Sequence, residues 1–351
     1  MTPSMDIRAA LKDAMARLRE VDVPSHTLAA EVLLMHVLAC DRAWLYTHPE
    51  QLLELSAIER YFAFIARRAA GEPTQYLTGK QEFWGLEFEV TPAVLIPRPE
   101  TEHLIEVALE FLGPRGLKIR LDTGAPSDSL RIADVGTGSG CLAVALAWEL
   151  PHAKVFATDI SPAALEVARQ NAARIGVADR VHFVECDLLN GFSRDSRVTK
   201  SHLTNGLASG RGFSRAERRP ISGVSTSEAR AIIHQGIYEA DPSPESSPFD
   251  LIVSNPPYVA REDANTLPRE VREYEPHAAL FGGPTGADIY PRLIEQAGAL
   301  LRDEGMLAVE LGYNSLDRVR AIFDAQSGWT NHRVTNDLAG IPRVFSAQRA
   351  A

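Results

Sequence analysis

Leu130-Arg131-Ile132-Ala133-Asp134-Val135 is a short apolar run that leads into Gly136-Thr137-Gly138-Ser139-Gly140 and then an alanine-rich stretch from Cys141 to Leu150. This order predicts a strand, a tight loop and a helix. Glycines let a backbone turn sharply and approach a ligand closely. The first turn of the following helix leaves N–H groups free. A dinucleotide fingerprint would need glycine at 136, 138 and 141. Position 141 is Cys, and the third glycine comes one residue early. The loop therefore favours a ligand without a pyrophosphate; the plainer alternative is a glycine-rich turn with no ligand.

Downstream the same alternation repeats. Lys154 to Asp159 reads as a second strand, and Ser161 caps a helix from Ala163 to Ile175 with Pro162 at its first position. Arg180 to Glu185, Phe249 to Ser254 and Met306 to Leu311 read as three more strands, with helices at 287–302 and 314–326. Strand–helix alternation implies an α/β fold with a parallel sheet covered on both faces, a doubly wound Rossmann-like domain.

Upstream the pattern changes. Residues 5–70 are helical in period, with Ile7, Leu11, Ala14, Met15 and Leu18 on one stripe and Leu28, Val32, Leu33 and Leu38 on another. Ser56 followed by Glu59 is a capping-box pattern for a third helix through Tyr61, Phe62 and Ile65, and Gly71-Glu72-Pro73 stops it. A small helical bundle that buries its own stripes and a partner-recognition domain both fit. Phe83 to Val90 alternates apolar and polar side chains around Gly85, which predicts a hairpin. Ile96-Pro97-Arg98-Pro99-Glu100-Thr101 is stiffened by two prolines, and a helix from about Thr101 to Leu112 follows. The expected organisation is a helical domain over 1–72, a hairpin linker over 73–100 and an α/β catalytic domain over 101–351.

One stretch interrupts that domain. Residues 191–248 are rich in Ser, Gly, Arg and Pro. Their first half, 191–220, holds seven basic and two acidic residues; the remainder holds one basic and four acidic. A connection this long is expected to be a disordered insertion or a lid, and its basic half leaves a nucleic-acid-contacting arm open.

Length and composition fit this plan. The 351 residues suit about two domains, with 45% hydrophobic and 23% charged residues, as in soluble globular proteins. No apolar run is long enough to span a membrane. Asp6, Asp13 and Glu20 near the start argue against a secretory or transit sequence. Cys40, Cys141 and Cys186 are far apart, with no metal spacing, so no metal site is expected and a reducing cytoplasm fits. A net charge of −10 weighs against tight, sequence-independent binding to long nucleic acids.

Three further motifs carry chemistry. Asp159 ends the second strand 23 residues after Gly136. A carboxylate there can accept hydrogen bonds from ribose hydroxyls, or it can simply cap a helix. Cys186-Asp187-Leu188 follows the third strand. Asp187 can accept from an adenine amino group with Leu188 on the ring, although a solvated turn reads nearly as well. Asn255-Pro256-Pro257-Tyr258 follows the fourth strand. By composition such a tetrapeptide appears on the order of once in 10⁵ positions, and here it sits at a carboxyl strand end, where open α/β sheets bind ligands.

That tetrapeptide suits alkylation of an amide or amino nitrogen, whose lone pair is delocalised. The Asn255 side-chain oxygen and the Pro256 carbonyl can accept its two N–H bonds. Positive charge develops on nitrogen in transfer from a sulfonium, so these acceptors favour the transition state over the ground state. Tyr258 can cover the planar group. No His or Glu general base is demanded.

With these motifs the chain resembles the release factor glutamine methyltransferases, the PrmC/HemK family. The resemblance runs through Pro73-Thr74-Gln75-Tyr76-Leu77-Thr78-Gly79, Glu82-Phe83-Trp84-Gly85, Leu95 to Glu102, Asn255 to Tyr258, Tyr274-Glu275-Pro276, Ala279-Leu280-Phe281 and Asp337 to Arg343. It implies a class I S-adenosylmethionine methyltransferase fold, with cofactor contacts at Gly136, Thr137, Gly138, Ser139, Gly140, Asp159, Asp187, Leu188 and Asn255. It implies catalytic roles for Asn255, Pro256 and Tyr258, and a substrate glutamine held by Asn255, Pro256, Pro257 and Tyr258. The substrate would be the glutamine of the Gly-Gly-Gln loop of peptide-chain release factors, recognised by the helical residues 5–70. Two features depart from the family: Leu188 stands where an aromatic would stack better on adenine, and the 191–248 segment is longer than the usual connection. Competing readings are a ribosomal-protein glutamine methyltransferase, a DNA or RNA amino methyltransferase that flips its base, and a non-enzymatic ligand-binding regulator.

Overall fold

A computed structural model describes residues 5–122, 130–192 and 248–351. The charge-split segment falls almost wholly outside these residues.

Near the N-terminus, α1 (Ile7–Glu20), α2 (His26–Leu38), α3 (Arg42–Thr47) and α4 (Leu55–Ala69) pack around Ile7, Leu18, Leu33, Leu34, Tyr61 and Ile65. Each such buried side chain contributes about 1.5–3 kcal/mol. The buried Tyr61 hydroxyl is satisfied by donating to Ala30 O at 3.0 Å. The predicted stripe on α1 holds at Ile7, Ala14 and Leu18, but Leu11 and Met15 are only partly buried. On α2, Leu28 is 51% exposed, because Ala29, Ala30, Leu33, Leu34 and Val37 face inward instead.

The capping box is corrected. α4 starts at Leu55 with Glu54 at its N-cap and no side-chain cap bond, so Ser56 lies inside the helix. Backbone pairing sets the entry here. Asp6 bridges Leu52, and Leu53 N donates to Met5 O at 2.9 Å. The six-residue α3, capped by Asp41 on Trp44 N, had no periodicity to announce it.

A short helix, α5 (Thr74–Thr78), leads to the hairpin β1 (Lys80–Phe83) and β2 (Leu86–Glu89). Its two-residue turn, Trp84-Gly85, has φ of +55° and +69°. That is the primed-turn geometry whose twist matches the strands. Phe83 and Phe88 lie on one face and bury into the core of the α/β domain beside Leu104 and Ile105. The hairpin is thus part of the α/β domain's packing. α6 (Glu102–Asp122) follows and runs well past the predicted Leu112.

The main sheet has seven strands: β3 (Arg131–Val135), β4 (Lys154–Asp159), β5 (Val181–Glu185), β6 (Phe249–Ser254), β7 (Leu301–Glu310), β8 (Trp329–Asn336) and β9 (Pro342–Arg349), in spatial order β5-β4-β3-β6-β7-β9-β8. β3 to β7 pair parallel, as expected, but β9 and β8 pair antiparallel at one edge. The all-parallel expectation is therefore corrected to a mixed sheet. β8 gave little signal because its residues, Thr330 to Arg333 above all, are exposed and polar. β7 also begins five residues before Met306, across a register shift.

Alternation along the strands divides the core in two. Ile132, Leu251, Val253, Met306 and Ala308 pack on one face with α6 and α7 (Cys141–Glu149). Ala133, Val135, Ile252, Leu307 and Val309 pack on the other with the helices Tyr290–Leu300 and Leu316–Asp324. Helices on both faces make the sheet doubly wound.

Candidate active site

Parallel register brings the motifs to one edge. Val135 aligns with Thr158 on one side and Ser254 on the other, and Ser254 aligns with Val309. Gly136, Asp159, Asn255 and Glu310 therefore leave neighbouring strands at the same level, roughly 4.8 Å apart per strand. Strand order reverses between β3 and β6, the switch point at which open α/β sheets bind ligands.

The glycine loop is held by backbone. Gly136 N and Thr137 N both donate to Thr158 O, at 2.9 and 2.8 Å, and Gly140 N returns to Thr137 O at 2.8 Å. At Gly140, φ is +82° and an added Cβ would lie 2.9 Å from Ala168 Cβ, so α8 (Pro162–Ile175) packs directly on the loop. At Gly136 and Gly138 φ is also positive, yet nothing lies within 4 Å of an added Cβ. Their backbone faces open space.

Two carboxylates frame the loop. Asp159 Oδ2 accepts from Gly138 N and Oδ1 from Ser161 N, both at 2.9 Å. Each oxygen keeps a second lone pair for a ligand hydroxyl. Asp134 Oδ2 accepts from Thr137 Oγ1 at 2.6 Å and Ala143 N at 3.1 Å, while its buried Oδ1 has no partner among the described residues. Burial lifts the Asp134 carboxyl to about 7. S-adenosylmethionine carries a ribose diol, an ammonium and a sulfonium, and no phosphate. An open glycine cradle, a spare carboxylate oxygen and a strand-end carboxylate fit those groups. Ser139 is buried, and its carbonyl accepts from Asn171 Nδ2 at 2.9 Å, tying the loop to α8.

Two more of the sequence candidates, Asp187 and Leu188, lie one strand beyond Asp159, whose main-chain carbonyl accepts from Cys186 N at 3.1 Å. Asp187 is ion-paired with Arg292, both partly exposed. Leu188 is 9% exposed and belongs to the same core cluster as Phe156 and Phe249, so it takes a core position rather than an open face. The exposed apolar side chain next to Asp159 is Ile160, 65% exposed, which the sequence reading did not select.

The Asn255 loop is held differently, by side chains from distant segments. Asn255 Nδ2 donates to Thr101 Oγ1 at 3.0 Å, Thr101 Oγ1 donates to Glu310 Oε2 at 2.6 Å, and Tyr258 OH donates to Glu310 Oε1 at 3.1 Å. Asn255 Oδ1 and the Pro256 carbonyl accept no hydrogen bond from the described residues. Both residues line a cavity of about 210 Å³ with Tyr258, Arg98, Leu95 and Val271. Glu310 is 2% exposed, and burial raises its carboxyl to about 7; burial, followed by the charge of Glu310, raises the Tyr258 hydroxyl well above its ordinary value.

The proline-bracketed segment is a clamp. Arg98 pairs with the buried Glu275, Glu100 with Arg343 at 3.6 Å, Thr101 with Glu310, and Glu102 accepts from Trp84 N at 2.8 Å. A second buttress comes from the loop after Phe281. At Gly282 an added Cβ would lie 2.2 Å from Pro257 O, and at Gly286 one would lie 2.4 Å from Tyr258 O. The sequence reading missed Thr101, Glu275, Glu310 and these glycines as site residues. For Glu310 a signal existed: a single acid closes the apolar run Met306-Leu307-Ala308-Val309.

The helical domain touches this site. Arg68 of α4 is ion-paired with Glu270, and Tyr274 OH donates to Ala70 O at 3.2 Å. Both partners lie in the segment that follows the Asn255 loop.

Comparison with known proteins gives the following. The PrmC N-terminal domain family matches residues 9–79, and a methyltransferase domain family matches residues 126–198. The release factor glutamine methyltransferase of Koribacter versatilis is 42% identical over 345 residues, covering 98% of this chain and 99% of that protein. Those of Moorella thermoacetica and Chlorobaculum tepidum are 39% and 37% identical, covering 98% and 96% of this chain and 99% and 95% of theirs.

Proposed function

The chain belongs to the release factor glutamine methyltransferase family, whose methyl donor is S-adenosylmethionine, and we propose that it methylates the side-chain amide nitrogen of the glutamine in the Gly-Gly-Gln loop of a peptide-chain release factor. The observation that carries this reading is the pair of unengaged acceptors, Asn255 Oδ1 and Pro256 O, at a small cavity one strand from the glycine loop.

Gly136 to Gly140 and Asp159 would hold the cofactor, with Asp134 beneath the loop. When bound, S-adenosylmethionine supplies an electrophilic methyl group on a sulfonium. Asn255 Oδ1 and Pro256 O would accept the two N–H bonds of the glutamine amide and hold its nitrogen toward that methyl. The N–C bond would form as the methyl–sulfur bond breaks, the sulfonium leaving as a neutral thioether, and the two acceptors would stabilise the positive charge that grows on nitrogen. One N–H proton then leaves to water, so no general base is required. Tyr258, tethered through its hydroxyl, covers the amide plane. Holding both reactants in line supplies a further large share of the rate.

Residues 5–70 would recognise the protein substrate. A groove of about 910 Å³ beside α1 and α2 mixes Arg8, Lys12 and Arg19 with Leu11, Met15 and Tyr46, which suits an amphipathic protein surface. The ion pair of Arg68 with Glu270 supports this reading, because it ties α4 to the segment that follows the Asn255 loop.

Labelled S-adenosylmethionine, incubated with this protein and a recombinant release factor, should mark the factor and leave a variant with the loop glutamine changed to alanine unmarked. Equal labelling of both would refute the proposed acceptor. Labelling of ribosomal protein or nucleic acid alone would move the substrate while keeping the nitrogen chemistry.

A further inference from the structure

We infer that Thr101 and Glu310 are positioning residues that set which end of the Asn255 side-chain amide faces the substrate. This rests on the reading of Asn255 Oδ1 as the acceptor for the substrate amide.

An amide side chain has two ends of nearly equal shape and opposite chemistry, and only its surroundings decide which way it points. If the oxygen faces the cavity, Asn255 accepts an N–H of the substrate. If the nitrogen faces it, two NH₂ groups meet and the substrate amide is no longer held for transfer, although the rest of the substrate still binds. Packing cannot make this choice, because both orientations fill the same volume; a hydrogen-bond partner of fixed polarity can.

Thr101 is such a partner. Its hydroxyl has one proton. Thr101 Oγ1 lies 2.6 Å from Glu310 Oε2, within the range of a hydroxyl donating to a carboxylate. With Glu310 ionised, both its oxygens can only accept, so Thr101's proton is committed to it, Thr101 can only accept from Asn255, and the 3.0 Å contact is made by Asn255 Nδ2. The oxygen is left for the cavity. Glu310 is committed in turn: its second oxygen accepts from Tyr258 OH, and its main-chain carbonyl accepts from Tyr290 OH at 2.8 Å. Thr101 and Glu310 are each 2% exposed, so water does not compete for these bonds. Thr101, Asn255 and Glu310, far apart in sequence, meet in one chain of bonds that ends at the amide, and neither Thr101 nor Glu310 lines the cavity itself.

The test uses Thr101→Ser, Thr101→Val and Thr101→Ala in the full-length protein, with S-adenosylmethionine affinity measured by titration and methyl transfer to a release factor measured at saturation. Serine keeps the hydroxyl, valine keeps the volume without it, and alanine loses both. A positioning role predicts kcat near wild type for Ser and reduced about ten-fold or more for both Val and Ala, with cofactor Kd and substrate KM within about two-fold. A packing role predicts that Val stays near wild type while Ala falls, and that result would overturn the inference. Should Val fail to fold, the Ser and Ala pair decides: equal activity of the two overturns it. Asn255→Ala separates the two levels of the argument. If it retains full activity, the acceptor reading itself fails. If it is impaired while Thr101→Val is not, that reading stands and the positioning role falls.

Discussion

The glycine loop and the Asn255 loop leave adjacent strands at the same level, yet they are built in opposite ways. Gly136 to Gly140 is fixed by main-chain bonds to Thr158 O and by its own next turn, with side chains from adjacent elements, Asp159 on Gly138 N and Asn171 of α8 on Ser139 O, completing the hold. Asn255 to Tyr258 is fixed by Thr101, by Glu310 and by close contact with Gly282 and Gly286. A loop that binds a common cofactor can rely on local geometry. A loop that must aim one amide at one nitrogen is held by two side chains and a close-packed glycine backbone that come from distant parts of the sequence. The division predicts that damage to the second loop's supports lowers turnover, whereas damage to the first lowers cofactor affinity.

Gly282→Ala is the strongest challenge to this division. The new Cβ would meet Pro257 O at 2.2 Å, so the Asn-Pro-Pro-Tyr backbone must shift. Displacement of about 1 Å at a reacting centre costs on the order of 10²-fold in rate. We expect that loss in kcat, with cofactor Kd unchanged by isothermal titration; a matching loss of cofactor affinity would dissolve the distinction between the two loops.

Asp159→Ala should act the other way. Removing ligand bonds to a charged acceptor costs about 1.5–3 kcal/mol, or roughly ten- to a hundred-fold in S-adenosylmethionine Kd. Turnover at saturating cofactor should change far less. An unaltered Kd would exclude Asp159 from the cofactor site.

Glu310→Gln gives the smallest effect and the most specific one. Burial raises the Glu310 carboxyl to about 7 from 4.5. Between those values the folded protein retains a proton that the unfolded chain has released. Relative stabilisation from this group is complete below the unfolded value and is lost as pH rises through about 7. Above that pH a buried charge is retained at a cost. The neutral glutamine should therefore raise Tm by about a few degrees at pH 8 and by less at pH 5, while lowering activity. Asp134 titrates in the same range, but it is common to both proteins and cancels in the comparison. A Tm difference independent of pH would remove ionisation of Glu310 from the account.

The same contrast explains what the sequence revealed. Lys154 to Asp159 and Phe249 to Ser254 were bounded to the residue, because buried parallel strands are continuous apolar runs. Ser161 and Pro162 marked the start of α8 by local capping chemistry, and Ser161 Oγ does accept from Ala164 N. The misses were non-local. β8 is exposed and polar, so only its pairing with β9 defines it. α4 opens at Leu55 because of a bridge to Asp6, which no window around Ser56 contains. The segment Arg98 to Thr101 was visible as a rigid link, but its role came from Glu275 and Glu310, each more than 170 residues away in sequence.

The most direct test of the account is Asn255→Ala, assayed on one preparation for two quantities: S-adenosylmethionine Kd by titration and the single-turnover rate of methyl transfer to a release factor. The account predicts a Kd within about two-fold of wild type and a rate reduced by about 10²-fold or more, as expected for removal of a preplaced acceptor. A rate equal to wild type would contradict it.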